Sequence, residues 1–192
     1  MPFLFDFSVA LLLLIFGKQI NPRFLSRASW KALFGIALAG TGAFLIFQSY
    51  LQYQAFQKGL IGSVLGSEDG TVWFLSYLRF HIWNTYLVSF LVSVIFFWMA
   101  RWLNVRRGEL LFYSEEPWIA VTSIFLVGYP GVIFYAILMA FVMVFGSARR
   151  SMRRGGGERF SPYLLWAPLA IFVILIVSVF FERQGWWASF RF

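Results

Sequence analysis

Residues 117–148 read PWIAVTSIFLVGYPGVIFYAILMAFVMVFGSA. This apolar stretch is longer than the roughly 20 residues that one membrane crossing needs, and Gly128-Tyr129-Pro130-Gly131 in its middle is a strong break signal. It is therefore read as two helices, 117–128 and 131–147. Charge agrees with that reading. Arg101, Arg106 and Arg107 precede the stretch and Arg149, Arg150, Arg153, Arg154 and Arg159 follow it, so two crossings put both basic clusters on one side.

Working outward, 60% of the 192 residues are hydrophobic and 12% are charged, against about 25% charged in an ordinary soluble domain. Further apolar runs at 3–17, 32–51, 83–103 and 163–181 bring the expectation to an all-α, polytopic transmembrane bundle of about six helices, two of them short. Residues 1–192 form a single domain on this reading. The first run is taken as a span and not a cleaved leader, because it lacks a basic start, carries Asp6, and has no small-x-small site before Lys18. In the second run Gly35, Gly40 and Gly42, with Ala39 and Ala43, are expected to let another helix approach closely. Residues 52–80 are expected to be a loop with an interfacial amphipathic piece around TVWFLSYLRF. Trp83, Trp98 and Trp102 suit a membrane interface, and Lys18, Arg23, Arg27 and Lys31 join the basic side, which the positive-inside rule makes cytoplasmic. Both termini then face outward, the second with Trp186 and Trp187.

The absence of cysteine excludes disulfides, thiol nucleophiles and thiolate metal sites, and one histidine, His81, excludes a multi-histidine metal site within the chain. No metal or cofactor is predicted. Sixteen Lys and Arg against eight Asp and Glu are read as topology signals that meet anionic lipid, with membrane lipids as partners and no nucleic acid. Aromatic residues, 22% of the chain, suit apolar contact with lipids, pigments or neighbouring subunits.

Among polar residues the densest acidic set is Glu109, Glu115 and Glu116 in RRGELLFYSEEPW. Paired carboxylates at a membrane boundary can share a proton and do acid/base work. Pro117 offers the competing reading, since acids ahead of a first-turn proline simply start a helix and complement its dipole. Asp6 is an ionisable group in an apolar run, placed at the interface on the opposite side from Glu115 and Glu116. Arg79, His81 and Asn84 make a polar patch at the outer start of the third span. Arg149, Arg150, Arg153 and Arg154, followed by Gly155-Gly156-Gly157, are candidates for contact with an anion or lipid head group.

From Leu87 to Phe181 the order of features resembles the type IV prepilin peptidases, membrane aspartyl peptidases with a GxGD motif. The parallel runs through SVIFFWMARW, RRGELLF, YSEEPW, IAVTSIFLVGYPG, VIFYAILMAFVMVFG, ARRSMRR and RFSPYLLWAPLAIF. Laid down without gaps from the Gly128-Tyr129-Pro130 turn, the motif aspartate falls on Glu116, its glycines on Tyr113 and Glu115, and its lysine on Trp118. Phe160, Ser161, Pro162, Tyr163 and Leu164 stand where the family has FGPFL, and INPRF at Ile20–Phe24 is similar to the stretch after its first catalytic aspartate, whose place near Ile15 is apolar. Both aspartates of the dyad are thus absent, and the cysteine-bearing zinc domain has no counterpart. Hydrolysis by this route needs one acid to activate water and another to donate a proton. The resemblance implies a bacterial inner-membrane scaffold without peptidase chemistry, acting as a binding or structural subunit with protein partners. The alternative is an active divergent enzyme, a peptidase or a lipid-acting one, that uses Glu116. If Glu116 only starts a helix, Glu116→Gln is expected to cost about 0.3–1 kcal/mol.

Overall fold

A computed structural model of the chain describes residues 2–25, 28–58, 68–106, 108, 112–154 and 161–177, and among these every regular element is a helix. α1 (Pro2–Ile20) opens with a proline, whose missing N–H has no partner in a first turn anyway. It stops ahead of Asn21-Pro22, where the proline ring disfavours helical backbone in the preceding residue. α2 (Trp30–Lys58) starts on Ser29, whose hydroxyl accepts the amide of Ala32 at 3.0 Å. α3 is made of Glu68–Leu78, a π-helical turn Arg79–Trp83, and Asn84–Arg106, which follow one another directly. α4 (Glu116–Val127), α5 (Gly131–Arg154) and α6 (Trp166–Ile176) complete the six.

The break inside the long apolar stretch lies where the sequence signals it. Gly128 has φ 72°, a left-handed backbone that a side chain would strain, and the Tyr129–Pro130 peptide is cis. The Tyr129 amide donates to the Thr85 carbonyl at 3.2 Å, which pins this turn beside α3. α5 then returns antiparallel to α4. At its start, a Cβ on Gly131 would lie 3.0 Å from Val127, so the glycine lets α5 begin close against the end of α4.

Three expectations need correction. Residues 52–80 are helical wherever they are described: 52–58 finish α2, and 68–80 belong to α3. Between Gly70 and Gly108 there is no glycine or proline to stop a helix, and Phe56 of α2 packs edge-on against Phe74 and Tyr77 of α3, at 5.4 Å from each. Arg149, Arg150, Arg153 and Arg154, read as a basic loop, lie on the last turns of α5, whose helix no Gly or Pro interrupts between Gly146 and Gly155. Of the three α2 glycines, only Gly40 admits a neighbour. A Cβ there would fall 2.3 Å from Phe7 of α1, whereas Gly35 and Gly42 face open space.

α4 is the centre of the arrangement. It packs against all five other helices, and every residue from Ile119 to Leu126 is buried. α1 contributes Leu4, Leu11, Leu12 and Ile15 from one face, while α2 contributes Leu33 and Ala37. A second, smaller cluster of Leu45, Phe74, Leu78 and Ile82 joins α2 to α3 farther along. Because Tyr129 meets Thr85, residues 68–84 of α3 extend about 25 Å beyond the α4–α5 turn at 1.5 Å per residue. Among the described residues, Trp30–Lys58 and Gly70–Arg106 are the two helices long and apolar enough to cross a membrane.

Candidate functional site

The chemistry-bearing side chains gather where the end of α1 and the starts of α4 and α6 meet. Glu116, in the first turn of α4, is completely buried. Its Oε1 accepts the indole N–H of Trp166 at 2.9 Å. Its Oε2 accepts the Ser161 hydroxyl at 2.8 Å and the Tyr113 amide at 3.1 Å. The Glu116 amide donates back to the Tyr113 carbonyl at 3.1 Å, so residues 113 and 116 are tied by a side-chain bond and a backbone bond. A buried carboxylate without such partners would carry a large desolvation penalty. Three donors and the positive end of α4 offset that penalty here.

Trp166 extends the junction to two more helices. Its backbone carbonyl accepts the buried Tyr135 hydroxyl of α5 at 2.9 Å, and its ring meets Phe96 of α3 edge-on at 5.6 Å. From α1, the Gln19 amide donates to the Tyr163 carbonyl in the turn ahead of α6. Lys18 beside it is buried as well. Its ammonium donates to the carbonyls of Leu25 and Ala28 and lies 4.8 Å over the Trp30 ring, closing the α1–α2 corner with a satisfied cation. Trp118, two residues along from Glu116, sets its ring at a tilt against Phe97 of α3 at 4.5 Å under Lys31. Burial, and then the carboxylates of Glu115 and Glu116, raise the Tyr163 phenol above its ordinary pKa.

Of the sequence-derived candidates, Glu116 is therefore in the junction, Glu115 is exposed one residue before it, and Glu109 lies outside the described residues. Glu116 begins α4 but does not face solvent, because Ser161 and Trp166 close over it. Asp6 is exposed on the first turns of α1, about 20 Å from Gln19 along the helix, so it has no part in the junction. His81 is exposed in the π-helical turn with its ring against Tyr77 at 4.5 Å, and Arg79 lies over the Phe80 ring. Arg149 is exposed near the end of α5. Among the described residues no three His, Cys, Asp or Glu side chains converge as a metal site would require.

Sequence reasoning did not assign roles to Trp166, Ser161, Gln19 or Tyr135. A usable signal exists for the first: an indole N–H at the head of an otherwise aliphatic helix needs an acceptor once buried. Chemically, the junction holds a carboxylate whose two oxygens are both occupied by internal donors. That arrangement orders helices. Three internal donors reach the carboxylate oxygens, and the side chain is completely buried. Compared with known proteins, the chain matches no family model, no curated protein and no solved structure.

Proposed function

We propose that the chain is a polytopic protein of a bacterial cytoplasmic membrane that retains a prepilin-peptidase-like scaffold without its chemistry and serves as a binding or structural subunit of a larger membrane assembly. The observation that carries this reading is the full enclosure of Glu116, the residue on which the family's motif aspartate falls, by Trp166, Ser161 and Tyr113. A general base must reach the proton it abstracts. Glu116 instead fastens the start of α4 to α6.

The membrane setting has its own support. Two helices have the length and composition for crossing, and Lys18, Arg23, Lys31, Arg101, Arg106 and Arg149 share the end of the bundle that holds Glu116. A hydrocarbon core of about 30 Å accommodates α3 from Thr85 to about Asn104, which brings the α4–α5 turn to the outer boundary. Residues 18–31, 104–116 and 147–162 are then cytoplasmic and both termini face outward. Reporter fusions test the topology: 104–116 and 147–162 on opposite sides would remove the two-helix reading of the stretch between them.

The functional test is purification in mild detergent with identification of whatever co-purifies. A stoichiometric protein partner is the expected result. A lone chain that cleaves a prepilin-like peptide, with cleavage lost in Glu116→Gln at normal abundance, would overturn the proposal in favour of an active enzyme.

A further inference from the structure

α2 and α3 touch at the outer end, where the Trp83 indole donates to the Ser49 hydroxyl at 3.0 Å. At the basic end α4 comes between them, and its Trp118 ring is set against Phe34 of α2 at 6.1 Å and Phe97 of α3 at 4.5 Å. Both flanking helices carry a cation here. The Lys31 ammonium, from the first turn of α2, is exposed and lies 5.8 Å over the Trp118 ring. Arg101 follows Phe97 by four residues, which puts it on the same face of α3, and it is exposed as well. A helical side chain leans toward the N-terminus of its helix, so the Arg101 stem is carried back toward Phe97 and the ring it touches.

These two cations differ from Lys18 in what meets them. The Lys18 ammonium is taken up by the carbonyls of Leu25 and Ala28. Among the described residues, neither Lys31 nor Arg101 meets a carboxylate or a carbonyl, and Glu115, the exposed acid at the head of α4, acts on Tyr163 beside α6. Depth decides which anion suits them. Arg101 lies three residues inside Asn104, so its backbone is about 4.5 Å below the inner boundary proposed above. An acidic protein would have to enter the head-group layer to reach it, whereas the phosphates of anionic lipid already stand there. We propose that Lys31 and Arg101, beside the Trp118 ring, bind the phosphate of an anionic phospholipid in the leaflet at the basic end. Trp118 and Phe97 then offer ring surface to the apolar part of the lipid next to that phosphate. This rests on the membrane reading above, and is independent of whether Glu116 is inert.

The test uses the full chain in a neutral detergent, with bound lipid counted by native mass spectrometry. Phosphatidylglycerol and phosphatidylcholine with identical acyl chains are titrated in, and glycerol 3-phosphate serves as a phosphate ester without acyl chains. Phosphatidylglycerol is expected to bind more tightly than either. Lys31→Gln and Arg101→Gln should each weaken it about fivefold, while Lys31→Arg, which keeps the charge, should hold it within about twofold. Arg23→Gln and Arg149→Gln remove an exposed charge elsewhere at the same end and should also change it less than about twofold. Equal losses from all four Gln variants would show a diffuse basic surface, and equal binding of the two phospholipids would show no recognition of charge. Either result overturns the inference while leaving the membrane reading intact. Glycerol 3-phosphate bound as tightly as phosphatidylglycerol would overturn the lipid as the source of the phosphate. Lipid binding that survives Lys31→Gln with Arg101→Gln, while a co-purifying protein is lost, would overturn the inference in favour of an acidic protein surface. A chain that does not float with phosphatidylcholine liposomes overturns both readings.

Discussion

The two ends of the α2–α3 pair are held by different physics. At the Glu116 end, α1, α4, α5 and α6 meet through hydrogen bonds, with Trp166 and Ser161 on Glu116, Tyr135 on the Trp166 carbonyl and Gln19 on the Tyr163 carbonyl, and α3 joins by setting Phe96 against the Trp166 ring. At the other end, α2 and α3 hold each other mainly through rings, Tyr53 on Phe74 at 5.7 Å, Phe56 on Trp73 at 5.8 Å and Phe56 on Tyr77 at 5.4 Å, with a hydrogen bond from the Trp83 indole to the Ser49 hydroxyl at 3.0 Å. A buried polar network accepts one geometry, because any shift leaves a group unsatisfied. Ring contacts tolerate small displacements at little cost. The junction therefore sets the relative placement of four helices through its hydrogen bonds, while the outer α2–α3 contact rests on rings and the Trp83–Ser49 bond.

Removing the carboxylate should break this contrast most strongly. Glu116→Ala strands the Trp166 N–H, the Tyr113 N–H and the Ser161 hydroxyl in a buried site, and the expected loss is about 3 kcal/mol or more. Titration with a denaturing detergent, followed by circular dichroism, measures it. A loss under about 1 kcal/mol would mean that the junction does not hold the bundle together.

Glu116→Gln sharpens the same point. An amide supplies one oxygen where the site needs two acceptors, so its NH₂ must face either the Trp166 N–H or the Tyr113 N–H. The expected cost is about 1–3 kcal/mol, above the 0.3–1 kcal/mol of an exposed helix-start charge. A value in the lower range would say that water or a rearranged loop satisfies the site.

For the outer region, Phe56→Ala removes ring contacts with Trp73, Phe74 and Tyr77 at a half-buried position, with an expected cost of about 1–2 kcal/mol. The distribution of the effect matters more than its size. Hydrogen exchange should quicken in 52–58 and 68–82 and stay unchanged in 113–120 and 161–170, because the two clusters open separately. Faster exchange at Glu116 as well would join the regions into one cooperative unit.

The helices and the break at Gly128 were legible because apolar runs and a Gly-Tyr-Pro-Gly sequence act locally. The outer half of α3 was not, since Lys58, Glu68, Asp69 and several glycines suggest a loop, and the contacts between α2 and α3 that favour helix beyond them join residues far apart in sequence. Glu116 shows the limit most clearly. An acid ahead of Pro117 has the same local pattern whether it faces water or a buried indole, and its partners Ser161 and Trp166 lie 45 and 50 residues away. The fate of one glycine in three on α2 was equally invisible, because Phe7, which makes Gly40 necessary, belongs to another helix.

Glu115 offers the smallest and most discriminating test. It shares with Glu116 its charge and its position at the head of α4, but it is exposed and caps no amide with its side chain. Glu115→Gln should leave stability within about 0.5 kcal/mol. It should still move one property. Burial is the main cause that raises the Tyr163 phenol, and the Glu115 carboxylate is the next, because a nearby negative charge opposes formation of a phenolate. Without that carboxylate, Tyr163 should ionise at lower pH than in the unmodified chain, yet still above the ordinary value of about 10, since burial and Glu116 persist. Phenolate absorbance during alkaline titration, taken as the difference between each protein and its Tyr163→Phe counterpart, isolates this group from the other tyrosines. An unmoved titration would mean that solvent screens Glu115 completely, and the electrostatics of the junction would then reside in Glu116 alone.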